Sequence, residues 1–113
     1  MRSPAELLRD ILDAIERVER YAARGRQAFD RDELIQTWVV HHIEIIGEAA
    51  SRLGRDFHDA HSEIAWPQVI AMRNVLVHEY FGIDLDEVWT TVARDLPDLK
   101  AKIELLLATV GSP

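Results

Sequence analysis

At 113 residues, with 48% hydrophobic and 29% charged residues, the chain has the size and composition of one globular domain spanning 1–113. It contains no cysteine, which excludes disulfides and thiolate metal sites. No stretch resembles a signal core or approaches the roughly 18 apolar residues of a membrane span, so we expect a cytoplasmic protein without membrane association. The net charge of −7 argues against a passive nucleic-acid coat protein, although it permits a local basic cleft.

The first half of the chain predicts two long helices. Ser3–Glu6 has the pattern of a capping box with proline in the first turn, and Gly25 is a plausible stop for the helix it opens. Asp30 and Glu33 form a second box, whose helix continues to Gly54. Each helix is about 20 residues long, and their short connection favours an antiparallel pair.

A third helix is predicted from Trp66, after a connecting loop over 55–65. It is expected to end near Glu79 or Tyr80, because Gly82 follows. Its residues are apolar on nearly every side, which is typical of a central or interfacial helix. For so small a chain this indicates a homodimer.

The last part of the chain predicts further helix. Asp84 and Glu87 form a third capping box, and Pro97 either kinks the helix they open or starts a new one. The tail 111–113 is expected to fray. Together these segments predict an all-α fold, an antiparallel bundle of four or five helices.

Polar side chains interrupt the third helix where apolar residues otherwise dominate. On an ideal helix Arg73 lies within an apolar arc, whereas Asn74 and His78 share another side, with His78 about 140° from Arg73. A buried arginine needs a partner. Two interpretations of Arg73 stay open, an ion pair with Glu44 or Glu48 on the second helix and an anion-binding site.

These polar residues together form a motif that resembles that of a known family. Arg73, His78 and Tyr80 form an Arg-x4-His-x-Tyr motif, and the chain resembles the HepT-like toxins of the HEPN superfamily. The similarity also covers the second-helix segment 45–53 and extends in all from about Leu34 to Leu107.

The resemblance implies a HEPN-like helical bundle that dimerises and brings two copies of the motif into one cleft. It implies a metal-independent endoribonuclease toxin, encoded beside a nucleotidyltransferase antitoxin that silences it by transferring AMP to the motif tyrosine. Arg73 and His78 are then the catalytic residues, Asn74 a supporting polar group and Tyr80 the AMP acceptor. The expected partners are RNA, the antitoxin and a second copy of the chain, with no cofactor, metal or DNA.

The motif residues suit this chemistry. RNA cleavage without a metal uses the ribose 2′-hydroxyl as nucleophile, so the protein must move protons and stabilise charge on phosphorus. A histidine such as His78 can be base or acid, and Arg73 can hold the non-bridging oxygens. Because the two lie about 140° apart on a straight helix, they converge only if the helix loosens near His78 or the partner chain supplies one of them.

The remaining histidines lack enough ligands for a metal site. His58 and His61 share a three-residue spacing, but with no third or fourth ligand apparent we expect exposed polar residues, as for His41-His42. Arg52, Arg55 and the His41-His42 pair are candidates to add positive charge near a cleft.

A second function class remains open. An acidic chain of this size could equally be a non-catalytic helical module that binds, and is modified by, a nucleotidyltransferase. The intact Arg73–His78 pair favours the enzyme, whereas the net charge of −7 favours the module.

Overall fold

The computed structural model describes residues 2–75, 77–78 and 82–110, and for residues 74, 75, 77, 78 and 83 it describes the backbone alone. The elements in chain order are α1 (Pro4–Ala22), α2 (Arg26–Arg31), α3 (Glu33–Arg52), α4 (Arg55–Ala60), α5 (Trp66–Val75), β1 (Val77–His78), β2 (Gly82–Ile83), α6 (Leu85–Thr90), a π-helical segment (Thr91–Asp95) and α7 (Leu96–Val110). The all-α class is confirmed, with one two-residue antiparallel ribbon added to it.

Helix α1 begins as the capping box predicts. The Ser3 hydroxyl accepts from the Glu6 backbone N–H at 3.2 Å, and the Ser3 N–H donates to the Glu6 carboxylate at 3.2 Å. Hydrogen bonding of its carboxylate to the Ser3 backbone N–H, and secondarily to the Ser3 side chain, holds the pKa of Glu6 below its ordinary value. The apolar side chains that follow at helical spacing are buried, from Leu7 to Val18.

The start of the second long helix differs from the prediction. Asp32, and not Asp30, caps α3, because its carboxylate accepts from the N–H groups of Leu34 and Ile35 at 2.9 and 3.4 Å. Asp30 instead lies in the one-turn helix α2, where it pairs with Arg26 at 2.9 Å. A sequence rich in Ser, Thr, Asp or Asn offers several local caps, and packing decides among them.

Helices α1 and α3 are antiparallel, as predicted. The indole N–H of Trp38, early in α3, donates to the carbonyl of Arg17, late in α1, at 2.9 Å. At the other end Leu7, early in α1, lies beside Glu48 and Arg52, late in α3. This pairing places the second half of α3 next to the start of α1.

The predicted loop over 55–65 is wrong in part, because 55–60 form the helix α4. His58 anchors this helix through a 2.7 Å hydrogen bond between its Nε2 and the carbonyl of Ala50, and its ring stacks on Trp66 at 5.0 Å. Trp66 is 2% exposed and donates its indole N–H to the His61 carbonyl at 2.9 Å. Tertiary contacts therefore stabilise a helix that the sequence pattern alone does not reveal.

Helix α5 ends at Val75, and the predicted end at Glu79 or Tyr80 is wrong. Val77 and His78 form β1, which pairs with Gly82 and Ile83 of β2. The β-branched valines of this segment favour extended backbone, and Gly82 has φ of 78°, which residues with a Cβ rarely adopt. Glu79 and Tyr80 themselves lie outside the described residues.

The C-terminal part of the chain is helical without interruption from Leu85 to Val110. Asp84 caps it, as predicted, by accepting from the Glu87 N–H at 3.1 Å. The sequence offered a kink or a new helix at Pro97, and the backbone stays helical through this residue, which is the second of α7. A π-helical turn precedes it, in which Leu96 donates its N–H to the carbonyl of Thr91. Pro97 has no N–H to donate, so it is tolerated at the start of α7, next to the change in the hydrogen-bonding pattern. The tail predicted to fray, 111–113, lies outside the described residues.

The core lies mainly between α1, α3 and the C-terminal helix. Its largest fully buried side chains are Trp66, Phe29, Leu8, Ile11, Ile15, Ile43, Ile46, Leu96, Ile103, Val18 and Val39. Lys100 of α7 pairs with Glu19 of α1 at 2.8 Å, at the edge of this core. In the part of the chain that the structure describes, no helix has the length and apolarity needed to cross a membrane.

Candidate functional site

An open groove of about 510 Å³ lies between α1, α3 and α5. Most of its wall comes from one face of the second half of α3, because residues three and four positions apart on a helix point the same way. The groove is lined by Leu7, Asp10, His41, Glu44, Ile45, Glu48, Ala49, Arg52 and Arg73. It holds the one motif residue whose side chain the structure describes, Arg73.

Arg73 forms the ion pair that the sequence offered as one interpretation. Its Nη1 lies 3.0 Å from Oε2 of Glu48, so Glu48 and not Glu44 is the partner. The side chains of Arg73 and Glu48 are 36% and 53% exposed, so this ion pair lies at the surface of the groove and is not buried. A surface pair of this kind is weak enough for a bound anion to compete with it.

Glu48 also contacts a second arginine. Its Oε1 accepts from Nε of Arg52, one turn further along α3, at 3.2 Å. One carboxylate therefore lies between two guanidinium groups, which leaves a local excess of positive charge. Two further carboxylates line the groove, and one of them, Asp10, is bound to Arg2 at 2.6 Å.

Gly47 allows α5 to approach α3 closely at this point. A Cβ at position 47 would lie 3.3 Å from the backbone oxygen of Ile70 and 3.4 Å from Cδ of Arg73. The first contact is tight enough that Ile70 would have to move by a few tenths of an ångström. The absence of a side chain at Gly47 thus determines where the stem of Arg73 lies.

The adjacent histidines of α3 have different environments. His41 is exposed and lines the groove. His42 is 4% exposed, and its ring Nδ1 lies 2.7 Å from the Trp38 carbonyl, to which it donates as the Nδ1–H tautomer. Burial lowers the pKa of His42, with smaller contributions from His41 and Arg17, against the opposing effect of the Trp38 bond. The expectation that both histidines are exposed is wrong for His42.

Of the residues expected to add positive charge, Arg52 and His41 line the groove and Arg55 does not. Arg55 lies in the first turn of α4, away from the described lining. His58 and His61 are half-buried and not exposed as predicted, since both pack against aromatic rings. Within 2–75, 77–78 and 82–110, no three His, Asp or Glu side chains come close enough to hold a metal.

The remaining motif residues are placed by backbone only, or lie beyond the description. Asn74 is the penultimate residue of α5, and His78 is the second residue of β1. Since α5 ends between Arg73 and His78, the 140° separation of a straight helix does not apply to them. Tyr80 lies outside the described residues.

Comparison with known proteins assigns the chain to a family. A family described as ribonuclease HepT-like matches residues 11–106. The chain belongs to this HepT-like family. A HepT-like relative from Thermococcus cleftensis, named "Probable ribonuclease HepT", is 41% identical over 106 residues, which cover 93% of this chain and 96% of its own. The resemblance drawn from the motif is therefore confirmed.

A second HepT-like relative comes from Caldanaerobacter subterraneus and is named a "Putative RNase". It is 32% identical over 108 residues, which cover 95% of this chain and 96% of its own. No solved structure matches the chain.

Two features of the groove escaped prediction from the sequence. The contribution of Asp10 depends on how α1 packs on α3, which no local pattern gives. Gly47 sits directly before Glu48, and a glycine in the interior of a long helix is a signal of close approach that could have been used.

Proposed function

We propose that this HepT-like protein is a metal-independent endoribonuclease that acts as the toxin of a type II toxin–antitoxin pair. The observation that carries the proposal is the guanidinium of Arg73 in an open groove, five residues before His78 and on a different element from it. The names of the HepT-like relatives support ribonuclease activity.

The proposed reaction is an internal transfer at phosphorus. The ribose 2′-oxygen bonds to phosphorus and the P–O5′ bond breaks, leaving a 2′,3′-cyclic phosphate and a 5′-hydroxyl. One proton leaves the 2′-hydroxyl and one reaches O5′, and His78 serves as base or acid in these transfers. Arg73 holds the non-bridging oxygens as charge grows on them, and Asn74 supports that contact.

Dimerisation forms part of the proposal. One motif histidine per chain cannot readily be both acid and base, whereas two chains facing one cleft supply one each. A monomer with full ribonuclease activity would contradict a two-chain site.

Regulation by a nucleotidyltransferase antitoxin completes the proposal. The Tyr80 phenol loses its proton and attacks the α-phosphate of ATP, so that AMP is transferred to the phenolic oxygen and pyrophosphate leaves. The added phosphate would then occupy Arg73 and block RNA entry. Incubation with the antitoxin and ATP is expected to add one AMP or more to the intact mass of the wild type and none to Tyr80→Phe. Silencing of Tyr80→Phe by the antitoxin would contradict this mechanism.

A non-catalytic module that binds a nucleotidyltransferase is the second candidate. The net charge of −7 favours it, because RNA is repelled by an acidic surface. On this alternative Arg73 has a structural role and its pair with Glu48 persists in every complex.

RNA cleavage by purified variants decides between the two. We expect His78→Ala and Arg73→Ala each to lower the cleavage rate by a factor of roughly 10²–10⁴. His61→Ala and Arg31→Ala are the matched controls, since both positions lie outside the groove lining, and they should cleave like the wild type. Equal cleavage by His78→Ala and wild type would indicate a contaminating nuclease and favour the binding module.

A further inference from the structure

The carboxylate of Glu48 holds two arginines on one wall of the groove. Oε2 accepts from Arg73 across the α3–α5 contact, and Oε1 accepts from Arg52 on its own helix, at 3.0 and 3.2 Å. The two guanidinium groups are therefore separated by no more than one carboxylate and two hydrogen bonds. This arrangement fixes their relative position before any ligand arrives.

Most hydrogen-bonding capacity of these arginines is unused by Glu48. A guanidinium has five N–H donors, and the bond to Glu48 uses one from each arginine. The side chain of Arg52 is 62% exposed, so its remaining donors face open solvent at the groove. One negative charge between two positive ones leaves a net attraction for a second anion.

The opposite end of the groove has the other sign. Glu44 is exposed there, one turn from His41, and is separated from Glu48 by one turn of α3. A polyanion is therefore attracted to the Arg52 end and repelled near Glu44. The sign of the charge therefore changes along the groove, from positive at Arg52 to negative at Glu44.

We propose that Arg52 is a second phosphate-binding residue, which holds the phosphate next to the one held by Arg73, and that Glu48 is the residue positioning both. This inference rests on the proposed function for the identity of the ligand, single-stranded RNA. Arg52 binds substrate without taking part in proton transfer. Glu48 acts only through the two arginines.

Salt-dependent binding tests the role of Arg52 without requiring cleavage. The probe is a fluorescent oligouridine with a 2′-O-methyl group on every ribose, which lacks the nucleophile, titrated at several salt concentrations. Arg52→Gln is expected to weaken binding and to reduce the slope of log K against log salt by about 0.7, the loss of one phosphate contact on a single strand. Arg55→Gln removes an exposed arginine of α4, outside the groove lining, and should leave the slope unchanged.

Cleavage kinetics test the two roles separately. Arg52→Gln should raise KM several-fold at unchanged kcat, since it removes a contact made equally in ground and transition states. Glu48→Gln should lower KM, because the carboxylate that competes with the RNA phosphate for the arginines is removed. The same variant should lower kcat severalfold, because Arg73 is no longer held in position by an ion pair. If Glu48 has a purely structural role, Glu48→Gln would instead have a lower melting temperature and would bind RNA more weakly.

The outcomes separate this inference from the proposed function. If the wild type binds the probe but cleaves no RNA, the proposed function fails and the salt slopes still decide the role of Arg52. Equal slopes for Arg52→Gln and Arg55→Gln overturn the inference even if the wild type cleaves RNA. Absence of any RNA binding at low salt overturns the inference as well.

Discussion

Two buried residues of α3, Gly47 and His42, lie next to the groove without lining it. Gly47 sets the distance between α3 and the stem of Arg73. His42 is buried against Trp38, while its neighbour His41 lines the groove. Each can be tested by a substitution that replaces no residue of the groove lining.

Gly47→Ala should lower cleavage without the stabilisation that alanine normally gives. Inside a helix, alanine is favoured over glycine by about 1 kcal/mol. Here the new methyl meets Ile70 and Arg73, and relief of that contact costs roughly 1–3 kcal/mol and displaces Arg73. We expect no net gain in the free energy of unfolding and a cleavage rate lower by about tenfold or more. Ser51→Ala, on the exposed side of α3, is the control, and wild-type cleavage by Gly47→Ala would refute the argument.

His42 should make the fold sensitive to acid. Its pKa is lowered in the folded state, so the unfolded chain binds the proton more readily. The stability from neutral His42 is fully present above about pH 6.5, the ordinary histidine pKa, and is lost as the pH falls below it. Urea unfolding from about pH 8 to about pH 5 should show this loss in the wild type and in His41→Asn.

His42→Asn keeps a donor for the Trp38 carbonyl but cannot titrate. Its stability should therefore change less than that of the wild type over the same pH range. A parallel pH dependence in His42→Asn and wild type would show that other groups cause the acid sensitivity.

At the scale of elements, the helix starts were predictable where they depend on nearby residues. The capping box at Ser3–Glu6 and the Asp84 cap depend on bonds within one turn, and these bonds appear as predicted. The end of α5 and the existence of α4 depend on contacts distant in sequence, such as His58 with Ala50, which periodicity does not contain. For the site, sequence named Arg73 and offered Glu48 as a partner, but the placement of Arg52 beside them required the fold.

The π-helical turn should tolerate a deletion that the rest of the helix does not. Such a turn holds one residue more than an α-turn, so removal of exposed Ala93 can convert it to α-helix and keep the register of α7. Removal of exposed Ala101 would rotate buried Ile103 and Leu106 by about 100°. We expect the Ala101 deletion to lose about 2–5 kcal/mol or more of unfolding free energy, and the Ala93 deletion clearly less. Equal losses in denaturant unfolding would show that Pro97 and the core require the π turn itself.

At the scale of the whole molecule, the open question is how many chains build one site. Because α5 ends before His78, a single chain is no longer excluded by helix geometry from bringing Arg73 and His78 together. The proposed cleft between two chains would still supply both an acid and a base. The two arrangements differ in how inactive subunits combine.

Mixed dimers of wild-type and His78→Ala subunits distinguish them. If one cleft needs a histidine from each chain, only dimers of two wild-type subunits are active. Random pairing of equal amounts then leaves about a quarter of the wild-type activity. If each chain acts alone, about half of the activity remains. His78→Ala alone is the control, and light scattering checks that dimers form.

The indole of Trp66 gives this fold an optical reporter near its groove. It begins the same ten-residue helix that carries Arg73, and it is stacked on His58 of the helix following α3. A displacement of α5 along α3 would change that stacking and the polarity around a buried indole. Emission from Trp66, isolated by replacing Trp38 and Trp89 with phenylalanine, would therefore follow occupation of the groove in real time without a label.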